Sequence, residues 1–183
     1  MMNDAEDREL VRCFKEDREK TASFTAIVKK YQEKIYWQIR RILVQHEDAN
    51  DVMQNVFIKV WNGLGQFRED AKLSTWLYRI AVNESLSYLE QQKKRSAVSW
   101  DEAAPTLAEK LQSEKGFDGN KAEWKLQLAI QQLPEKQRMV FNLRYFDEMP
   151  YEEMSKVLNT SAGALKASYH HAVKKIEEIL LKD

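Results

Sequence analysis

Apolar runs of membrane length are missing from this sequence, and cysteine, proline and glycine are scarce: one, three and five residues respectively in 183. Nothing approaches the roughly 18 consecutive apolar residues that a spanning helix needs. No secretory leader follows Met1, where residues 3–9 read NDAEDRE. Membrane insertion and export are therefore not expected, and the expected address is cytoplasmic. A lone Cys13 excludes an internal disulfide and a cysteine-built zinc site. It reads as a small helix residue, because no neighbouring Cys or His would activate it. The three histidines, two of them adjacent, assemble neither a metal site nor a catalytic triad. A glycine-rich phosphate loop and a nucleophile motif are also lacking, so neither an enzyme nor a cofactor-dependent protein is expected.

What is present is a balanced charge with an uneven distribution. Basic and acidic residues number 29 each, so net charge by itself points to no partner. Between Glu153 and Glu177, however, no carboxylate occurs, while Lys156, Lys166, Lys174 and Lys175 stand there with His170 and His171. A solvated helix face normally mixes both signs. A one-signed stretch on a neutral chain is the footprint that a phosphate backbone selects.

Few helix breakers and no alternating strand pattern make the chain all-α by expectation. Phe24, Ile27, Val28, Tyr31, Ile35, Ile39, Ile42 and Leu43 recur at helical spacing, as do Val52, Val56, Phe57, Val60, Trp61 and Leu64, with a stop at Gly63 and Gly65. A polar interval over residues 66–74 precedes Trp76, Leu77, Ile80, Ala81, Leu86 and Leu89. With a helix before Thr21, these close one small bundle. From Gln91 to about Lys121 the pattern fails, around Pro105, Gly116 and Gly119, with a short helix expected near Leu107–Leu111. Periodicity resumes at Trp124, Leu126, Ile130 and Leu133, and again from Val140 to Tyr145. Two small helical domains follow, residues 1–92 and 122–183, joined by a flexible linker over 93–121. Such an arrangement suits a protein that touches two separated points.

Residues 151–169 have the form of a helix-turn-helix. Met154, Val157 and Leu158 face inward on the first helix, and Ser161 is placed to cap the second. Leu165, Tyr169, Ala172, Ile176 and Ile179 make the second helix's buried stripe. Lys166, Ser168, His170, His171 and Lys174 fall off that stripe and are the candidate duplex-DNA contacts, since this motif inserts its second helix in the major groove.

Upstream, Asp48, Asp51, Gln54 and Asn55 are polar positions in a helix whose apolar residues pack inward, and Asp48, Asp51 and Asn55 share a face by their spacing. An acidic first turn that satisfies the helix dipole is the plainer explanation from the residues alone. Phe67, Arg68, Lys72, Trp76, Tyr78, Arg79 and Asn83 gather aromatic, cationic and amide groups around a loop, the combination that holds single-stranded nucleic acid by stacking and charge. Trp76 occupies a position better suited to the core.

The run His46–Trp61, HEDANDVMQNVFIKVW, closely resembles the core-polymerase-binding helix of region 2 in sigma-70 family RNA polymerase sigma factors. The run Phe67–Asn83, FREDAKLSTWLYRIAVN, resembles that family's promoter-melting and minus-ten-recognition segment, and LPEKQR at 133–138 resembles the opening of region 4. With no room for further regions, the chain resembles the short extracytoplasmic-function (ECF) group. The resemblance implies that Asp48, Asp51, Gln54 and Asn55 dock on core RNA polymerase. It likewise implies that the Phe67–Asn83 set binds the minus-ten element, and that Lys166, Ser168, His170, His171 and Lys174 bind the minus-35 element of promoter DNA. An anti-sigma factor is a common partner in that family, though no residue here identifies one. Many relatives carry arginine where Ser168, His171 and Val173 stand, so weaker phosphate binding is expected. A polymerase-independent helix-turn-helix regulator is the competing reading, but it leaves residues 47–61 and 67–83 without a role.

Overall fold

The computed structural model describes residues 4–98 and 121–181, and all regular structure in them is helical. Helices α1 (Asp4–Lys15), α2 (Lys20–Leu43), α3 (His46–Leu64) and α4 (Leu73–Val98) form the first domain. Helices α5 (Lys121–Gln131), α6 (Glu135–Tyr145), α7 (Tyr151–Leu158) and α8 (Ala162–Leu180) form the second. Helix α4 continues past the boundary expected at residue 92. The short helix expected near Leu107–Leu111 lies outside the described residues.

The first bundle is built on residues whose helical spacing places them on one side of each helix. Ile27, Tyr31, Ile35 and Ile39 of α2 are buried against Val52, Val56, Val60 and Leu64 of α3 and Leu77 and Ala81 of α4. Helix α1 is held to α2 by a buried carboxylate with both oxygens occupied. Tyr31 Oη donates to Asp7 Oδ2 at 2.7 Å, and Lys30 Nζ donates to Asp7 Oδ1 at 2.7 Å. Burial, then the neighbouring Asp7 carboxylate, pushes the Tyr31 phenol well above its ordinary value, so it remains a donor. Phe14, Phe24 and Trp61 meet edge-on and tilted at 4.9–6.3 Å between centroids, pinning α1, α2 and α3 at one end.

The expected glycine stop after α3 has a different physical basis. Gly65 is right-handed, at φ −61°, and makes no use of glycine's left-handed freedom. Gly63 instead lies close under the Trp76 ring: a Cβ there would stand 3.2 Å from it, so the indole would have to shift by a few tenths of an ångström. A left-handed residue does end α7, where Asn159 stands at φ 49° and allows the sharp turn into α8. Ser161 Oγ then accepts from Ala164 N at 3.3 Å, the cap expected from sequence.

In the second domain Ala129, Ile130, Leu133, Phe141, Ala172 and Ile176 form a core, with Phe141 stacked between Tyr145 and Tyr169 at 5.1 and 5.8 Å. The two domains do not stand apart. Met139, Val140, Leu143, Met149, Met154, Val157 and Leu165 belong to the same buried apolar cluster as the first bundle. Helix α7 lies on α4, and α6 lies on α2.

Candidate nucleic-acid and polymerase interfaces

Three surfaces carry the residues singled out above. On α3, Asp51, Gln54 and Asn55 are exposed. Asp48 is half-buried, and its Oδ1 accepts from Tyr88 Oη on α4 at 2.6 Å, so one member of the set has a structural task as well. Beside this polar edge runs an apolar groove between α2 and α3, lined by Phe24, Val28, Met53, Gln54, Phe57, Ile58 and Trp61. Ile58 is 59% exposed. Its outward position follows from helical spacing alone. The buried stripe of α3 runs Val52, Val56, Val60, Leu64, and an isoleucine two positions off that stripe faces outward. Apolar groove and polar rim together are the composition of a protein-docking surface.

The second surface surrounds the α3–α4 loop. Lys15 Nζ anchors that loop by donating to the Phe67 carbonyl at 2.7 Å and to Glu69 Oε1 at 2.9 Å. Arg68, Arg79 and Asn83 are exposed. Trp76, Arg79 and Asn83 follow spacings of three and four and so share one face of α4. Arg68, Thr75, Trp76 and Arg79 line a cleft with Lys156 of α7. A ring wall, guanidinium groups and a nearby amide suit an unstacked base and its phosphate. Phe67, expected as a stacking residue, is only 7% exposed and packs on Trp76 at 5.1 Å between centroids. Its ring is a floor under Trp76, and Trp76, expected to be the core member, is the more exposed of the two.

Tyr78 is set apart from this cleft. It is buried in a crevice with Lys34, Trp37, Arg41, Phe146 and Asp147, where the domains meet. Arg41 Nη1 lies 3.4 Å from Asp147 Oδ1, and the guanidinium sits 4.2 Å over the Phe146 ring. Burial pushes the Asp147 carboxyl up to about 6, against the pull of Arg41 and Lys34. Burial also lowers Arg41 from its ordinary value. Both shifts say that desolvation outweighs the attraction between the partners, consistent with Asp147 Oδ2 being buried without a hydrogen-bond partner. Because its folded-state value lies above the ordinary 3.8, Asp147 contributes stability that is fully present below about 3.8 and lost as pH rises through about 6. Thermal unfolding of the wild type should therefore show an acid-side gain over pH 6 to 4 that Asp147→Asn lacks. Parallel profiles of melting temperature against pH would contradict this.

The third surface is α8. At about 100° per residue, Lys166, His170, Lys174 and His171 span roughly 140° of the face opposite the buried Leu165, Ala172 and Ile176, and all four are exposed. Ser168 lies about 200° round from Lys166, at the edge of the buried stripe, and is half-buried. The structure thus groups the four cationic or titratable residues and leaves Ser168 to one side. Lys166 Nζ rests 5.7 Å from the centre of the Tyr151 ring of α7, a contact that joins the two helices of the motif. Among the described residues, no helix is long and apolar enough to cross a membrane.

The family model "Sigma-70 region 2" matches residues 27–95, and "Sigma-70, region 4" matches residues 123–176. The chain is 31% identical over 188 residues to the RNA polymerase sigma-H factor of Pseudomonas aeruginosa, covering 98% of this chain and 96% of that one. It is 32% identical over 165 residues to the ECF RNA polymerase sigma-E factor of Escherichia coli, with 85% of each covered. In fold it is similar to RpoE in complex with the anti-sigma factor NepR from Bartonella quintana, with a TM-score of 0.70, 19% identity and coverage of 87% and 98%. It is also similar to CnrH in complex with the cytosolic domain of CnrY, with a TM-score of 0.71, 21% identity and coverage of 97% and 99%. With both regions matched in order, and full-length relatives above 30% identity, the chain belongs to the sigma-70 family of RNA polymerase sigma factors, in its ECF group.

Proposed function

We propose that the three surfaces divide the work of a sigma factor among them. The protein binds core RNA polymerase and directs promoter-specific initiation. The rim of Asp51, Gln54 and Asn55, with Asp48 behind it, and the groove around Ile58 dock on polymerase. The cleft of Arg68, Trp76 and Arg79, with Lys72 and Asn83, takes the melted minus-ten strand, and Phe67 supports it from below. The α8 face of Lys166, His170, His171 and Lys174 reads the minus-35 duplex. It acts by binding, without catalysis of its own. An anti-sigma factor would be a further partner.

The observation that carries this reading is the pairing, within one bundle, of a protein-docking groove on α3 with a cation-and-aromatic cleft beside it. A polymerase-independent regulator would need no such groove. The deciding experiment is run-off transcription with core polymerase on genomic fragments. Template-specific transcripts are expected only when the protein is added, and a pattern identical to core alone would refute the proposal. For the α8 face, Lys166→Ala in holoenzyme should weaken promoter binding, most strongly at low salt. It should also reduce the slope of log affinity against log salt by about 1, measured by fluorescence anisotropy. An unchanged slope would remove Lys166 from the phosphate contacts.

A further inference from the structure

One helix of the DNA-reading domain lies directly on the minus-ten surface. Glu153 of α7 has both carboxylate oxygens engaged there. Oε1 is 2.9 Å from Lys72 Nζ, and Oε2 accepts from Thr75 Oγ1 at 3.3 Å. An ammonium and a hydroxyl converging on an anionic pair of oxygens is how a nucleic-acid phosphate is held. Thr75 is only 3% exposed. Lys156, one turn along α7, closes the side of the cleft that holds Arg68, Trp76 and Arg79.

We propose that the docked arrangement is a self-inhibited state, in which α7 presents Glu153 in place of a DNA phosphate and competes with the minus-ten strand for one surface. This rests on the minus-ten reading given above. A second clasp, Arg41–Asp147 with Phe146 under the guanidinium, holds the same domain from the α2 side. Gln131 Nε2 adds a hydrogen bond to the Arg41 carbonyl at 3.1 Å. The shared apolar cluster makes the docking more than a chance ion pair.

The contact is also built to release. Lys72 is half-exposed in its ion pair, and such pairs are weak and screened by salt. Asp147 keeps one buried oxygen unpartnered, a cost that undocking relieves. Binding to a partner that favours the separated domains need only shift an equilibrium between two arrangements.

The test uses the full chain with Arg41→Gln, Glu153→Gln and the double variant. Binding of a labelled random-sequence single-stranded DNA is measured by anisotropy, and the radius of gyration by small-angle X-ray scattering. Each single variant should bind about threefold to tenfold more tightly than wild type and be more expanded, with the double variant furthest along both scales. Arg41→Gln is the discriminating change. It removes a positive charge, so charge alone predicts weaker DNA binding, whereas uncovering predicts stronger. If that variant misfolds by circular dichroism, Glu153→Gln, half-buried on a short helix, carries the test. Affinity equal to or below wild type overturns the proposal, as does tighter binding with no expansion. If even the double variant fails to bind single strands, the minus-ten reading itself falls and takes the proposal with it.

Discussion

Alanine in place of Phe67 is expected to lower the unfolding free energy by about 3–5 kcal/mol, the usual cost of emptying a buried phenylalanine site. Its ring is 7% exposed, lies against Trp76 and sits in the same cluster as Leu64, Leu73 and Leu77. The loop that carries it is tied down by Lys15 at the Phe67 carbonyl, so the chain cannot easily collapse into the void. Chemical denaturation of the full chain measures the loss. A midpoint unchanged from wild type would return Phe67 to the list of free stacking residues. Asn83→Ala is the cleaner probe of the proposed DNA surface, because Asn83 is exposed and its loss leaves no cavity.

The second large effect is expected at the rim proposed to dock on polymerase. Asp51→Lys combined with Asn55→Lys should weaken the complex with core RNA polymerase by at least about tenfold, since reversing charge at a docked polar rim leaves like charges opposed or partner groups unpaired. Both side chains are exposed on α3, so the melting temperature should stay near wild type. Asp48 is a poorer choice, because its carboxylate holds Tyr88 and a reversal there would disturb the α3–α4 packing. Affinity can be read from titration of labelled protein with core polymerase. An undiminished complex would shift the docking assignment away from α3, and the apolar groove around Ile58 and Trp61 would have to be tested alone.

Much of this was legible in residue order. Helical spacing places Ile27, Tyr31, Ile35 and Ile39 inside, and it does so because a helix repeats every 3.6 residues whatever it packs against. Ser161 is a cap by local chemistry, and Asn159 turns the chain because its short polar side chain tolerates a left-handed backbone. The one-signed stretch of α8 is also a local property. Lys166, His170 and Lys174 share a face simply by being four residues apart.

What spacing cannot report is which of two partly apolar residues ends up on top. Phe67 and Trp76 exchange their expected burial, with the indole lying against Gly63 and the loop backbone pinned by Lys15, a residue 52 positions away from Phe67. Tyr78 belongs to the minus-ten segment by sequence, yet it is buried against Arg41 and Asp147 because helix α2 and the α6–α7 turn close over it. Glu153, an acid in the first turn of a short helix, meets Lys72 and Thr75 only because α7 lies on α4. The helices, their buried faces, the turn of the helix-turn-helix and the family resemblance are all encoded in residue order. Each of these depends on neighbours within one or two turns. How the two bundles meet, and which charges are thereby masked, depends on contacts between distant parts of the chain. Those contacts join residues 78 and 106 positions apart, Thr75 with Glu153 and Arg41 with Asp147, and no local periodicity encodes a pairing at that distance.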